Sequence, residues 1–400
     1  MKISQNDYKI DLLMKSVCIY NGTILTGLAA MEQCAVLIED GLISDVFSQK
    51  RFEQRKFDSS TRLIDAGGSY ITPGFIDTHI HGIGGYGTED ASTESILEMS
   101  RILADWGVTA FNPTIYADAP DRILETIKKI TAAMGKEEGA RVMGLHLEGP
   151  FISPQRLGVQ KPEAAQAVNI DLMEQFWNAS GGHIVNMTVA PELKQMRELA
   201  LYCGKKGIIL QAGHTNADYE NMKEGMQVGI LHSTHLFNAM RRLDHRNPNA
   251  VGAVLIHPEM SCEIIADGFH VHPDLFKLLL RNKSIDKIVL ITDSIKPTEQ
   301  KEGTLYANNE EVYFKDGVFF RKTDNVIAGS CLTMIRGIRN LVSAGFSMDD
   351  AVKTAAFNPS KIMRYNNQGA ITPGHLADIT VFNSDFKIGL VMIGGKIIKE

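Results

Sequence analysis

No stretch of this chain offers the roughly 18 consecutive apolar residues that a membrane helix needs, so a spanning helix is excluded. An excess of basic residues is missing too. Lysine and arginine number 41 against 47 aspartates and glutamates, a formal net charge of −6. Holding a nucleic-acid backbone requires the opposite balance, so nucleic acid is excluded as the main partner. Cysteine is sparse. Cys18, Cys34, Cys203, Cys262 and Cys331 are odd in number, scattered and without a CxxC pair. That usage excludes a disulfide framework and fits reduced thiols in a cytoplasmic protein. Residues 1–13 lack the apolar run of a signal peptide. Internal repeats and low-complexity tracts are absent.

What is present is an alternation. Apolar runs at 71–80, 107–115, 141–148, 183–190, 207–213, 229–235, 261–267 and 286–292 read as buried strands. Helical patterns follow most of them, at 94–106, 121–134, 172–177, 193–205, 273–280 and 332–342. Eight strands alternating with helices predict an α/β fold of the (β/α)₈ barrel type; a doubly wound open sheet is the competing topology. The two chain ends differ from this middle. Short β-type runs at 16–20, 34–39 and 42–47 are broken by Asn21-Gly22 and Asp40-Gly41, both hairpin signals. Runs at 378–382 and 390–393, before Gly394-Gly395, repeat the style. The expected organisation is a small β-sandwich domain built from residues 1–70 and 366–400. Around it the barrel spans 71–365, with a β-insertion near 303–325.

Chemistry-bearing residues fall at the strand ends. In Pro73-Gly74-Phe75-Ile76-Asp77-Thr78-His79-Ile80-His81, the two histidines stand at i and i+2. On a strand they project to one face and can share a metal ion. Glu148 closes the third run as Leu145-His146-Leu147-Glu148-Gly149-Pro150. A charge ending an apolar strand must be solvated, paired or coordinated. His146 shares its face and reads as structural. His214 and His235 end the fifth and sixth runs, and neutral imidazole suits zinc or iron. His232, three residues before His235, should point elsewhere. Asp293 ends the eighth run, where a carboxylate is expected as general base. Each residue alone has an unremarkable reading, as a turn, a solvated strand end or a helix cap. Together, at the mouth of one barrel, they form a ligand set.

These motifs resemble the amidohydrolase superfamily. His146-Leu147-Glu148-Gly149-Pro150-Phe151, Ala212-Gly213-His214-Thr215-Asn216-Ala217, His235-Leu236-Phe237-Asn238-Ala239-Met240 and Thr292-Asp293-Ser294 go further. In that order they resemble the N-acetylglucosamine-6-phosphate deacetylase family within it. The resemblance spans nearly the whole chain. It implies that Glu148, His214 and His235 hold a catalytic divalent metal, zinc first and iron or another divalent ion next. His79 and His81 match a first-strand pair that binds a second ion in some members, giving one or two ions per subunit. Asp293 matches the catalytic acid/base. Asn238 and Ala239 match sugar-phosphate contacts, and His270 matches a phosphate-side residue. Ile327, Ala328 and Gly329 match a loop lining the pocket. Arg246 matches an arginine that reaches the neighbouring active site of a homodimer. Many members carry a Lys-Gly-x-His segment that polarises the amide oxygen. Here Gly158-Val159-Gln160 stands there, so Val159 and Gln160 are expected at the substrate, Gln160 as an uncharged donor. A cyclic-amide hydrolase, a nucleobase deaminase and the galacto epimer of the substrate are the alternatives.

Overall fold

The computed structural model describes residues 16–300 and 303–400. The expectation about residues 1–13 lies outside the described residues. Eight parallel strands form the barrel: β1 Phe75–Ile80, β2 Val108–Tyr116, β3 Leu145–Glu148, β4 Ile184–Val189, β5 Ile209–Ala212, β6 His232–Ser233, β7 Ser261–Ile265 and β8 Ile288–Ile291. Each pairs with its sequence neighbour. The ring closes because Asp293 N–H donates to the His79 carbonyl (2.9 Å) and His81 N–H to Ser294 (2.9 Å). Thr292 Oγ1 adds a bond to Asp77 Oδ2 (2.6 Å). Consecutive order with closure eliminates the open doubly wound sheet. β8 is an unbroken apolar run because both faces are covered, as parallel sheets require, whereas β3, β4, β5 and β7 interleave apolar residues with the buried polar groups His146, Glu148, Asn186, Gln211 and Glu263.

The apolar run at 71–80 is two strands in two sheets. Tyr70–Pro73 pairs with Ile379–Phe382 in the terminal domain, and Phe75–Ile80 enters the barrel. Gly74 makes the hand-over, since a Cβ there would lie 2.1 Å from Thr109 Oγ1. Length alone could not show this break, because Pro73 ends one sheet without interrupting the apolar pattern. The run at 141–148 also divides, at Gly144, whose φ of +157° lies at the edge of what a side chain tolerates.

Both chain ends build one eight-stranded sheet. Ser16–Leu25 sits inside it, flanked by Ala30–Glu39 and by the parallel strands Thr61–Asp65 and Tyr70–Pro73. The sheet curls over its own core of Val17, Ile19, Val36, Ile38, Ile71, Ile379, Val381 and Met392. Its two ends meet where Ala377 N–H donates to the Gly41 carbonyl (2.9 Å). A Cβ on Gly395 would stand 2.6 Å from Gly41 Cα, so that meeting needs glycine. The insertion after β8 is a hairpin, Glu310–Lys315 with Val318–Arg321, turning at Asp316-Gly317. Helices Thr93–Asp105, Pro120–Ala133, Ile170–Ala179, Met196–Lys206, Pro273–Asn282 and Met334–Ser343 match the expected patterns. Tyr219–Gln227, Asn249–Ile256, Met348–Ala355 and Phe357–Ile362 are further short helices that periodicity missed.

Candidate active site and metal centre

Three expected site residues sit just past a strand in the left-handed region: His214 (φ +45°), His235 (φ +23°) and Asp293 (φ +48°). That conformation is costly for a side chain and concentrates where function demands it. Here it turns each side chain over the C-terminal mouth of the barrel. Glu148 occupies the middle. Its Oε1 lies 3.1 Å from His214 Nε2, 3.0 Å from His235 Nε2 and 3.4 Å from His79 Nε2. Its Oε2 lies 3.3 Å from His81 Nε2. Asp293 Oδ1 is 3.5 Å from Nε2 of both His79 and His81. The four histidine partners of Glu148 and Asp293 therefore come from three different strands, brought together only by barrel closure.

The donor set fits a divalent cation. His81 Nδ1 faces the Thr114 carbonyl (3.1 Å) and His214 Nδ1 faces the Arg156 carbonyl (3.1 Å). A carbonyl only accepts, so both rings carry hydrogen on Nδ1 and, when neutral, aim a bare Nε2 at carboxylate oxygens. Lone pairs facing one another at about 3 Å need positive charge between them. His79 Nε2, fully buried, has no hydrogen-bond partner. His79, His81 and Asp293 present ligand atoms within 4.8 Å of one another, and so do His79, Glu148 and His235. Protonation trends report the same pressure. Burial opposes charge on His79, yet Asp293, Glu148 and Glu263 hold its pKa well above the usual range. Burial would raise Glu148, yet His214, His235 and His79 hold it well below the carboxylate range.

His146 stays apart. Its two ring nitrogens contact Thr114 Oγ1 (3.1 Å) and Thr188 Oγ1 (2.9 Å), and burial with nearby His79 keeps it from charging. His232 points away from the mouth, with Nδ1 on Ser261 Oγ (2.7 Å).

A cleft of ≈ 200 Å³ opens over this cluster. Val159, Asn238, Ala239, His270, Ile327, Ala328 and Gly329 line it, together with His81, Glu148, His214, His235 and Asp293. His270 Nδ1 contacts Asp267 Oδ2 at 2.6 Å. Asn238 spends its side-chain N–H groups on the carbonyls of His235 (3.3 Å) and Leu236 (3.4 Å), bracing the ligand loop. One expectation needs correction. Gln160 does not face the cleft: it is buried, accepts from Ala117 N–H (3.1 Å) and donates to Glu148 Oε2. A neutral amide orients the central carboxylate where a substrate contact was expected. Arg246 lies exposed on the 241–248 loop and does not line the cleft of its own chain.

Sequence reasoning missed Tyr116, whose ring stacks on His81 (3.7 Å, 9°) and walls the cleft. It also missed Glu263, fully buried on β7 and 3.2 Å from His79 Nδ1. Its signal was available: an acid inside the apolar run Cys262-Glu263-Ile264-Ile265 must be paired.

Gly213 shows how tightly the mouth is built. A Cβ there would stand 2.6 Å from Thr234 Cβ and 2.7 Å from Thr188 Cγ2. Gly213→Ala is expected to destabilise the fold by about 1–3 kcal/mol, as overpacking does, and to displace the adjacent His214. Thermal melts and metal retention after dialysis check both effects; an unchanged melting temperature would contradict the packing argument.

A closed parallel barrel with carboxylates and imidazoles converging at its strand C-termini defines a metal-dependent hydrolase of the amidohydrolase type. Residues 70–398 match the family model described as "Amidohydrolase family". N-acetylglucosamine-6-phosphate deacetylase of Bacillus subtilis is 33% identical over 391 residues, covering 96% of this chain and 98% of that protein. N-acetylgalactosamine-6-phosphate deacetylase of Escherichia coli O157:H7 is 28% identical over 82% of this chain and 87% of its own. The crystal structure of N-acetylglucosamine-6-phosphate deacetylase from Pasteurella multocida superposes with a TM-score of 0.88 at 26% identity, covering 96% of this chain and 99% of that one. The chain belongs to the amidohydrolase family and, within it, to the N-acetylglucosamine-6-phosphate deacetylases.

Proposed function

We propose that this enzyme hydrolyses the acetamide of N-acetylglucosamine 6-phosphate, giving glucosamine 6-phosphate and acetate. The observation that carries the reading is one cleft that joins Asp293 and the Glu148 cluster to His270, Asn238 and the 327–329 loop. A divalent ion, zinc in this reading, supplies Lewis-acid and water-activating chemistry when bound; Glu148, His214 and His235 would hold it, with His79 and His81 for a second. Asp293, at the cleft face, takes a proton from the attacking water and returns it to the departing amine nitrogen. Water adds to the carbonyl carbon, the C–N bond breaks, and acetate leaves as the sugar gains an amine. Val159, Ile327, Ala328 and Gly329 surround the acetyl and sugar. His270 faces the phosphate, and Arg246 of a second subunit completes the phosphate contacts in a homodimer. The enzyme acts in the cytoplasm; among the described residues no helix is long and apolar enough to cross a membrane.

The test is acetate release from a panel of N-acetylated hexosamine 6-phosphates, with dihydroorotate and adenine as controls. Turnover of the gluco substrate above the galacto epimer supports the reading, and turnover of a cyclic amide or nucleobase alone would end it. A second measurement probes His270. Burial opposes its charge, but Asp267 and Asp293 raise its pKa above the ordinary imidazole value. The ring is then cationic below that raised pKa and attracts phosphate. KM is expected to rise as pH climbs through it, and His270→Asn should raise KM and flatten that profile. An unchanged KM profile in the variant removes His270 from the phosphate.

A further inference from the structure

The fully buried Glu263 is a costly group to keep in a barrel core, since a lone carboxylate there loses its hydration. Its partners explain how it is tolerated and what it does. Outside the barrel, Tyr365 donates its hydroxyl to Asn112 Oδ1 (2.6 Å). That leaves the Asn112 amide nitrogen to donate onward to Asn186 Oδ1 (3.1 Å). Asn186 Nδ2 donates to Gln211 Oε1 (2.6 Å), and Gln211 Nε2 donates to Glu263 Oε1 (2.7 Å). Asn112, Asn186, Gln211 and Glu263 are all fully buried, on β2, β4, β5 and β7.

Every donor in this relay runs the same way. Turning any one amide around would set donor against donor in a dry core, at about 1–3 kcal/mol for each group left unsatisfied. The relay ends on a group that can only accept. Glu263 Oε2 is 3.2 Å from His79 Nδ1, so that ring nitrogen must carry the hydrogen. In the neutral ring Nε2 is then the bare nitrogen, and it is the one aimed at Glu148 and Asp293 without a hydrogen-bond partner. His232 Nε2, 3.7 Å from Glu263 Oε1, stands beyond bonding distance and Thr78 Oγ1 donates weakly at 3.4 Å. Neither competes for Oε2.

We propose that Glu263 is a positioning residue that commits His79 to bind a cation through Nε2, and that the amide relay from Tyr365 holds Glu263 to that task. The inference rests on the reading of the cluster as a metal site. It makes the His79 and His81 pair a built second position. A His79 ring of the opposite tautomer would present N–H to the site and could not ligate. Carboxylate partners of ligand imidazoles commonly contribute 10- to 100-fold in metal affinity.

The test uses zinc and the full chain. In zinc-loaded protein labelled with ¹⁵N-histidine, His79 is expected to carry hydrogen on Nδ1, with the signal assigned by its loss in His79→Ala. Zinc affinity is then titrated by competition with a chelating dye. Glu263→Gln keeps the size but lets a carboxamide N–H face Nδ1, favouring the wrong tautomer. Its affinity at the second position should fall roughly 10- to 100-fold. Glu263→Asp, still acceptor-only, should recover most of that loss. Melting temperatures report whether each variant folds, and if Glu263→Gln does not, the wild-type ring signal still decides. Hydrogen on His79 Nε2, or wild-type zinc binding in folded Glu263→Gln beside a loss in His79→Ala, overturns this inference alone. Wild-type zinc binding in His79→Ala overturns the second metal position and this inference with it.

Discussion

Asp293→Asn is expected to lower kcat by roughly 10²- to 10⁴-fold, the usual contribution of a positioned acid/base, with metal content unchanged. The geometry separates the two effects. The backbone N–H of Asp293 closes the barrel on His79, and substitution leaves that bond alone. The side chain stands 3.5 Å from Nε2 of His79 and His81, farther than Glu148 stands from His214 and His235. An asparagine keeps the shape and the strained backbone but cannot accept a proton from water. KM should change little, because the 327–329 loop that lines the cleft is left untouched. Steady-state kinetics beside elemental analysis settle the matter: near-normal turnover in a metal-replete variant would falsify the acid/base role.

Glu148→Gln should do more. This carboxylate faces four ring nitrogens at 3.0–3.4 Å. With a neutral amide in its place, metal content after dialysis should fall to background and turnover with it. The metal-free fold should suffer as well. His214 Nε2 and His235 Nε2 stand only 3.2 Å apart, and Glu148 Oε1 is the negative atom between them. Removing one partner of a buried ionic cluster typically costs about 3–5 kcal/mol. Thermal unfolding of the metal-free variant against metal-free wild type measures that cost. Full zinc content in Glu148→Gln would sink the assignment of Glu148 as the central ligand. Gln160 is the control: it only orients Glu148 Oε2, so Gln160→Ala should weaken metal binding without abolishing it.

Much of this site was legible before the fold. His79 and His81 share a strand face by spacing alone, and Glu148 and Asp293 announce themselves as charges ending apolar runs. What spacing could not supply was contact between strands. Gln160 follows Glu148 by twelve residues, yet whether its amide meets substrate or carboxylate depends on how the intervening loop folds back. Tyr116 looks like the last residue of an apolar strand until its ring is seen flat against His81. Glu263 was visible as an acid in an apolar run, but its partner lies 184 residues away. The break at Gly74 was hidden because two sheets share one apolar stretch.

By itself the sequence determined the alternation of strands and helices, the β-rich ends and the residue types at the barrel mouth. Those are local properties: periodicity, turn chemistry and the cost of a buried charge act within a few residues. Only the tertiary structure decided which nitrogen of His79, His81 and His214 faces the metal position. That choice depends on what the other ring nitrogen meets, a Thr114 carbonyl for His81, an Arg156 carbonyl for His214 and the Glu263 carboxylate for His79. Each of those acceptors comes from another part of the chain, so the ligand chemistry exists only once the barrel has closed.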